Sequence, residues 1–503
     1  MFRQNVLATA LAVVLTPALA HAAPALPFAP VSPTATSAAP TENAELARIR
    51  VQLQQMKQEY ETRIEALEKR VRDNESASAR AAVPATTGSP AGDIQPVPGG
   101  AYAAGALTPG AGAPSPAIGA PVASVAGFNP AVSLILGGTY ANLSQDPNRY
   151  RLQGFMPAGD GVGPGRRGFN LGESELTLAA AIDPRFAGQL TFSLDADNAV
   201  SVEEAFFQTQ GLANGLNLRA GRFLSGIGYL NGQHAHTWDF VDAPLAYQAF
   251  LGRQFKADGV QLRWLAPTEK FIEFGLELGR GSGFPGNDRN RNGVGSTALL
   301  AHLGDDIGES ASYRAGLSYL RTAATQRDFA DIDGAGASVT NAFTGHSATW
   351  IADGVYKWSP NGNPVQTNLK LQGEYFRRTE RGTLAQDIDA QGAAAASGSY
   401  RAAQSGWYLQ GVYQFTAGWR AGLRYDRLQS GSGAFGSGLE ASNFSQLAAY
   451  NPRRTTAMLD YSPSEFSRFR LQFAQDRTRP QATDNQIFLQ YIMSLGAHGA
   501  HTF

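Results

Sequence analysis

Hydrophobic residues recur with two different periods along this chain. Between Glu42 and Asn74 the apolar positions Leu46, Ile49, Leu53, Met56, Tyr60, Ile64, Leu67 and Val71 fall at spacings of 3, 4, 3, 4, 4, 3 and 4. That is a heptad seam with one stutter, set among Gln, Glu, Lys and Arg and uninterrupted by Gly or Pro. Thr41 is placed to cap its start. A seam this narrow cannot bury a core by itself, so the pattern predicts an α-helix that joins partner helices in a coiled coil.

From Ala131 onward the period is two. Leu190, Phe192 and Leu194 alternate with Gln189, Thr191, Ser193 and Asp195. Trp419, Ala421, Leu423 and Tyr425 alternate with Arg420, Gly422, Arg424 and Asp426, and Phe469, Leu471 and Phe473 with Arg468, Arg470 and Gln472. The alternation places strands near 131–143, 169–182, 186–197, 201–210, 215–223, 257–266, 270–280, 295–303, 311–321, 347–358, 366–377, 406–415, 418–428, 454–462, 466–476 and 486–503. A soluble sandwich shows the same alternation, but the connections discriminate. Tight turns such as Asp183-Pro184-Arg185 and Thr416-Ala417 take turns with long segments at 144–168, 224–256, 281–294, 322–346, 378–405 and 429–453. Only 198–200 departs from the rule. Short turns at one end and long loops at the other predict an all-β transmembrane barrel of about 16 antiparallel strands over 129–503.

Residues 1–22 read as a signal peptide. Arg3 precedes the apolar run Val6–Leu19, and Ala20-His21-Ala22 supplies a small-x-small cleavage site. The run is shorter than the ~20 residues of a spanning helix. Residues 75–128, rich in Ala, Pro, Gly and Ser, form a disordered linker that cannot bury enough apolar surface to offset its ordering entropy. The order is thus signal, coiled-coil helix at 42–74, linker and barrel. It puts the barrel in a Gram-negative outer membrane, among lipid and lipopolysaccharide, and the helix in the periplasm. The seam favours a homo-oligomer, most simply a trimer.

Composition agrees with this order. A mean hydropathy of -0.23 suits a barrel with a single lipid-facing side. With 41 Lys+Arg against 42 Asp+Glu, nothing points to nucleic acid, and the absence of Cys removes disulfides and thiolate chemistry. No catalytic pairing emerges, so the chain reads as a non-enzyme with small solutes or ions as partners.

Sixteen strands enclose a water-filled lumen, and function depends on what narrows it. The longest connection, 224–256, carries Trp238, Asp239 and Asp242 and is the expected constriction; the alternative has it packing outside on a neighbouring subunit. Arg420, Arg424, Arg468 and Arg470 form one inward wall, facing Glu273 and Glu277 with the loop carboxylates on the other. Such walls either select ions or simply line water. No cofactor is required. His234 and His236, with Asp239, offer a set of the kind zinc accepts, as do His498 and His501 near the end.

The plan as a whole resembles the coiled-coil-bearing DcaP-like trimeric porins. The block from Leu218 to Gly228, followed by His234-Ala-His-Thr-Trp-Asp-Phe240, is similar to phosphate-selective-porin relatives and also to proteins labelled zinc-regulated outer-membrane receptors. The porin resemblance implies passive diffusion of small hydrophilic solutes. The receptor resemblance implies metal or siderophore uptake through a plugged barrel, although the segment before this barrel has no room for a folded plug. A third class keeps the barrel only as the anchor of an envelope tether.

Overall fold

The computed structural model describes residues 130–496 apart from 160, 197, 198, 393 and 394. The signal peptide, the coiled-coil helix, the linker, His498 and His501 all lie outside the described residues.

The described residues close into one antiparallel barrel of sixteen staves. In chain order these are β1 (Ala131–Leu143), β2 (Gly168–Leu171 continued by Ser174–Asp183), β3 (Phe186–Leu194), β4 (Val200–Thr209), β5 (Leu216–Leu224), β6 (Lys256–Leu265), β7 (Phe271–Gly279) and β8 (Ser296–Ile307). Then follow β9 (Ala311–Ile332), β10 (Ser338–Trp358), β11 (Asn368–Gln386), β12 (Ala396–Thr416), β13 (Trp419–Gln429), β14 (Arg453–Ser464), β15 (Ser467–Arg477) and β16 (Asp484–Gly496). Both segments of β2 pair with β1, so they form one stave with a kink at Gly172–Glu173. The barrel closes where β1 pairs with β16, from Ser133 opposite Gly496 to Leu143 opposite Gln486. Closure leaves no open edge, the condition for backbone inside a bilayer.

The outward faces carry Leu136, Val260, Leu262, Leu276, Leu299, Leu423 and Leu471 in exposed positions. Aromatic pairs flank this aliphatic band: Trp419–Tyr461 (4.6 Å) and Phe469–Tyr491 (4.5 Å) near the short turns, and Tyr319–Trp350 (4.8 Å) further up. An apolar band between aromatic girdles is the surface of an outer-membrane barrel, with the short turns on the periplasmic side. No helix among the described residues is long and apolar enough to cross a membrane.

Two expectations are corrected. Residues 322–346 and 378–405, expected as loops, largely continue the strands, which run for 22 residues in β9, 21 in β10, 19 in β11 and 21 in β12. Their upper inward faces bury Phe329, Phe343, Leu384 and Tyr400 against Phe444 and Leu447 of the connection after β13. Beyond the lipid the outer face has no reason to be apolar, so the alternation that marks a membrane strand fades while the ladder goes on. The final strand is described as far as Gly496, and 497–503 lie outside the described residues.

Candidate functional site: the loop inside the barrel

Residues 225–255, between β5 and β6, lie inside the barrel. Their base is sewn together by one side chain. Asn231 donates through Nδ2 to the carbonyls of Ser225 (2.8 Å) and Phe255 (2.9 Å), and its Oδ1 accepts from the Phe255 N–H (2.7 Å). Glu277 of β7 holds the first residues, accepting from the Ser225 hydroxyl (2.5 Å) and the Gly226 N–H (2.9 Å).

On β11, Glu374 forms the central seat. It accepts the backbone N–H groups of Tyr229 (3.2 Å) and Leu230 (3.1 Å) and the hydroxyls of Tyr247 (2.8 Å) and Tyr408 (2.6 Å). Gly228 has φ of +65°, and a Cβ there would lie 2.4 Å from the Glu374 carboxylate. Only glycine lets the chain settle on this seat. The loop then makes the helix α1 (Leu245–Leu251), every residue of which is buried. Asp426 of β13 accepts its first N–H (2.8 Å), where the helix end favours a carboxylate. Gly252, at φ of +64°, closes it. Phe250 stacks on Phe376 at 5.7 Å, and Trp238, Phe240, Tyr247 and Phe250 are all buried.

Two anchors of opposite chemistry fix the loop to the wall. On the β11–β15 side, Asp239 meets Lys370 (2.5 Å) and Arg420 (3.1 Å), and Asp242 meets Arg424 (2.8 Å) and Arg454. Arg470 donates to the Trp238 carbonyl (2.9 Å) and Arg468 to that of His236. Burial by itself would raise the Asp239 carboxyl, but Lys370 and Arg420 outweigh it and hold it below the usual carboxylate range. Asp242 is likewise held low by Arg454 and Arg424 against burial.

On the β2–β4 side, His234 reaches Glu175 (3.1 Å) and Glu203 (3.2 Å) through Nδ1 and Glu204 (3.1 Å) through Nε2. His236 meets Glu175 through Nδ1 (2.8 Å). The imidazoles stand 5.7 Å apart. Glu203 and Glu204 are consecutive, and a strand would send them to opposite faces. The register slips between Thr191 and Phe192 of β3, so β4 carries an extra residue and turns both carboxylates to the loop. Burial would depress the His234 imidazolium, but Glu175 and its neighbours overcome this and raise it.

This arrangement revises the expected walls. Asp239 and Asp242 do not face the arginines across open water; they are docked directly on them. Arg424 and Arg470 are buried, as is Glu277 beneath the loop base. Glu273 is matched by Arg263 (3.4 Å) and His302 (3.0 Å) instead of presenting a bare acidic surface. The physical reason is that charges enclosed in a packed lumen must pair. Asp239 is also remote in role from the histidines, whose partners are Glu175, Glu203 and Glu204. Sequence reading missed those three, together with Lys370, Glu374, Asp426 and Asp460. The adjacent acids at 203 and 204, breaking a polar-apolar alternation, were the available signal.

Below the loop, towards the short turns, the lumen differs. Arg314, Lys357, Lys370, Arg420 and Arg468 point inward from β9, β10, β11, β13 and β15 and are only partly buried. Arg314 lies over the Tyr229 ring at 5.3 Å. Asp460, on β14, binds Arg420 (2.6 Å) and Arg470 (3.3 Å).

No family model matches the chain. A protein of Aquifex aeolicus (strain VF5), described as uncharacterized, is 31% identical over 356 residues, spanning 67% of this chain and 71% of the relative. Among solved structures, the loop L8 deletion mutant of OmpT, an outer membrane protein of Vibrio cholerae, is similar at TM-score 0.46 and 11% identity, over 73% of this chain and 99% of that one. The anion-selective porin from Comamonas acidovorans gives 0.42 and 12%, over 73% and 99%. The outer membrane channel DcaP of Acinetobacter baumannii gives 0.41 and 11%, over 75% and 100%.

Proposed function

The chain belongs to the family of the uncharacterized Aquifex aeolicus protein, and for this member we propose an outer-membrane channel for small hydrophilic solutes, narrowed by its own inner loop. The observation that carries the reading is the packing of residues 225–255 across the lumen, tied to Glu277, Glu374, Asp426 and Arg424 on three different staves. A loop that merely capped the outside would leave Phe240, Leu245, Tyr247 and Phe250 in water. Each gains roughly 1.5–3 kcal/mol from burial. Passage then requires either the thin space left beside the loop or a shift of the loop itself.

The basic side chains at the turn end set an anion preference in this reading. Arg314, Lys357, Lys370, Arg420 and Arg468 outnumber the carboxylates among them, Asp239, Asp353 and Asp460. In a confined pore, fixed charge acts on ions far more than at an open surface. Trimerisation through the 42–74 helix completes the proposal.

The same packing favours a second reading, a barrel that is only the anchor of a periplasmic tether. Planar-bilayer recordings of the purified full chain separate the two. The channel reading expects small, discrete current steps with a reversal potential displaced towards anions in a salt gradient. A membrane that stays silent at every voltage, with correctly inserted protein, would leave the anchor.

A further inference from the structure

We propose that Glu175, Glu203 and His234 bind one divalent transition-metal ion, with Glu204 and His236 holding the ligands in position. The inference concerns the joint between loop and wall, and it stands whether or not the lumen conducts.

The donor atoms are already gathered. One oxygen each from Glu175 and Glu203 and a ring nitrogen of His234 lie within 4.8 Å of one another. The two distances from His234 Nδ1 are 3.1 and 3.2 Å. Bonds of ~2.0–2.1 Å in a tetrahedron put neighbouring ligands roughly 3.4 Å apart, close to the separation each of these carboxylate oxygens already has from Nδ1. As the site stands, one Nδ1 faces two carboxylate oxygens. A single proton there must be shared between them, whereas a metal ion satisfies both.

The surroundings match those of a ligating histidine. A metal-bound imidazole donates its other N–H to a carboxylate, which fixes the ring. His234 Nε2 lies 3.1 Å from Glu204, and Glu204 is itself held by the Leu224 N–H (2.9 Å) and Gln189 (3.2 Å). His236 Nδ1 does the same for Glu175 at 2.8 Å, leaving the other Glu175 oxygen for the ion. Lys256 touches the far oxygen of Glu203 at 3.5 Å.

Charge points the same way. The carboxylates of Glu175, Glu203 and Glu204 are 2%, 3% and 7% exposed. Three buried carboxylates share two imidazoles, Lys256 and the nearby Arg219 as their cations, and a dication would add directly to the charge that holds Glu175 and Glu203 together. One imidazole with two carboxylates, and space for a water as fourth ligand, is a set that zinc accepts; nickel and copper follow by affinity order. Magnesium and calcium, which need six or more oxygens, do not fit.

The test is calorimetric titration of zinc chloride into the full chain, folded in detergent and freed of metal. One ion per chain is expected, with magnesium giving no heat. H234A and E203Q should each weaken binding at least 100-fold, and E204Q and H236Q about 10–100-fold. H346Q, a histidine away from the cluster, should bind like the parent. Absence of saturable binding, or unchanged affinity in the H234A/E203Q double variant, would overturn the proposal. If that variant fails to fold, X-ray absorption of the zinc-loaded parent decides instead. One imidazole nitrogen with oxygen neighbours supports the site; two or more imidazoles contradict it and point to surface histidines.

Discussion

The two anchors of the inner loop solve the same problem with opposite materials. On the β11–β15 side the wall supplies the cations, Lys370, Arg420, Arg424 and Arg454, and the loop supplies Asp239 and Asp242. On the β2–β4 side the wall supplies the carboxylates, and the loop answers with His234 and His236. Guanidinium and ammonium groups keep their charge through neutral pH, so the first anchor is permanent wherever its carboxylates stay ionised. Imidazole titrates near neutrality and binds metals, so the second is conditional. The loop is therefore hinged on a fixed side and adjustable on the other.

Removing the loop abolishes the comparison altogether and has the largest expected effect. A deletion within 232–248 should raise single-channel conductance severalfold and admit larger solutes. An unchanged size cutoff in a folded deletion variant would mean that the constriction lies elsewhere.

Breaking only the permanent anchor comes next. D239N with D242N leaves Lys370, Arg420, Arg424 and Arg454 without their loop carboxylates. Removing one partner of a buried pair costs about 3–5 kcal/mol. Loop docking should loosen, seen as flickering between low and high conductance. The histidine side should remain in place, detected as retained zinc binding.

Neutralising the turn-end cations tests selectivity without disturbing the seat at Glu374. Gln at Arg314 and Lys357 should move the reversal potential towards cations at 0.1 M salt. The shift should shrink at 1 M, where screening falls to ~3 Å. Equal shifts at both salts would mean that these groups do not act on the ion path.

Acidity and alkalinity should separate the anchors, with the smallest effects. Asp239 and Asp242 have lowered values, so their contribution is whole above the ordinary carboxylate pKa of ~3.9 and is lost as pH falls through the lowered ones. His234 has a raised value, so its contribution is whole below ~6.5 and is lost as pH rises through the raised one. Conductance should be flat from pH 5 to 6.5, rising in stronger acid and again in alkali. A single transition would mean that one anchor carries the loop alone.

The barrel was readable from the sequence because lipid imposes apolar residues on every second position. Each expected strand has its counterpart among the sixteen staves, at least in part. Above the membrane that pressure ends, which is why the upper halves of β9 to β12 read as loops. The inner loop was visible by its length and its aromatic content. Its partners were not, because Glu175, Glu374 and Asp460 look like any polar residue lining water until the loop covers them. Glu203 faces the loop only through a bulge, which the sequence marks by two adjacent acids but whose direction is settled by the pairing between strands.

The central claim is that residues 225–255 are packed inside the barrel, and the absence of native cysteine makes it directly testable. A cysteine at Ala249, buried in α1, should resist a water-soluble maleimide in the folded protein and react once the barrel is unfolded. A cysteine at the exposed Ser442 should react at once in both states. If the Ala249→Cys protein is modified as fast as Ser442→Cys while folded, the loop does not fill the lumen and the account fails.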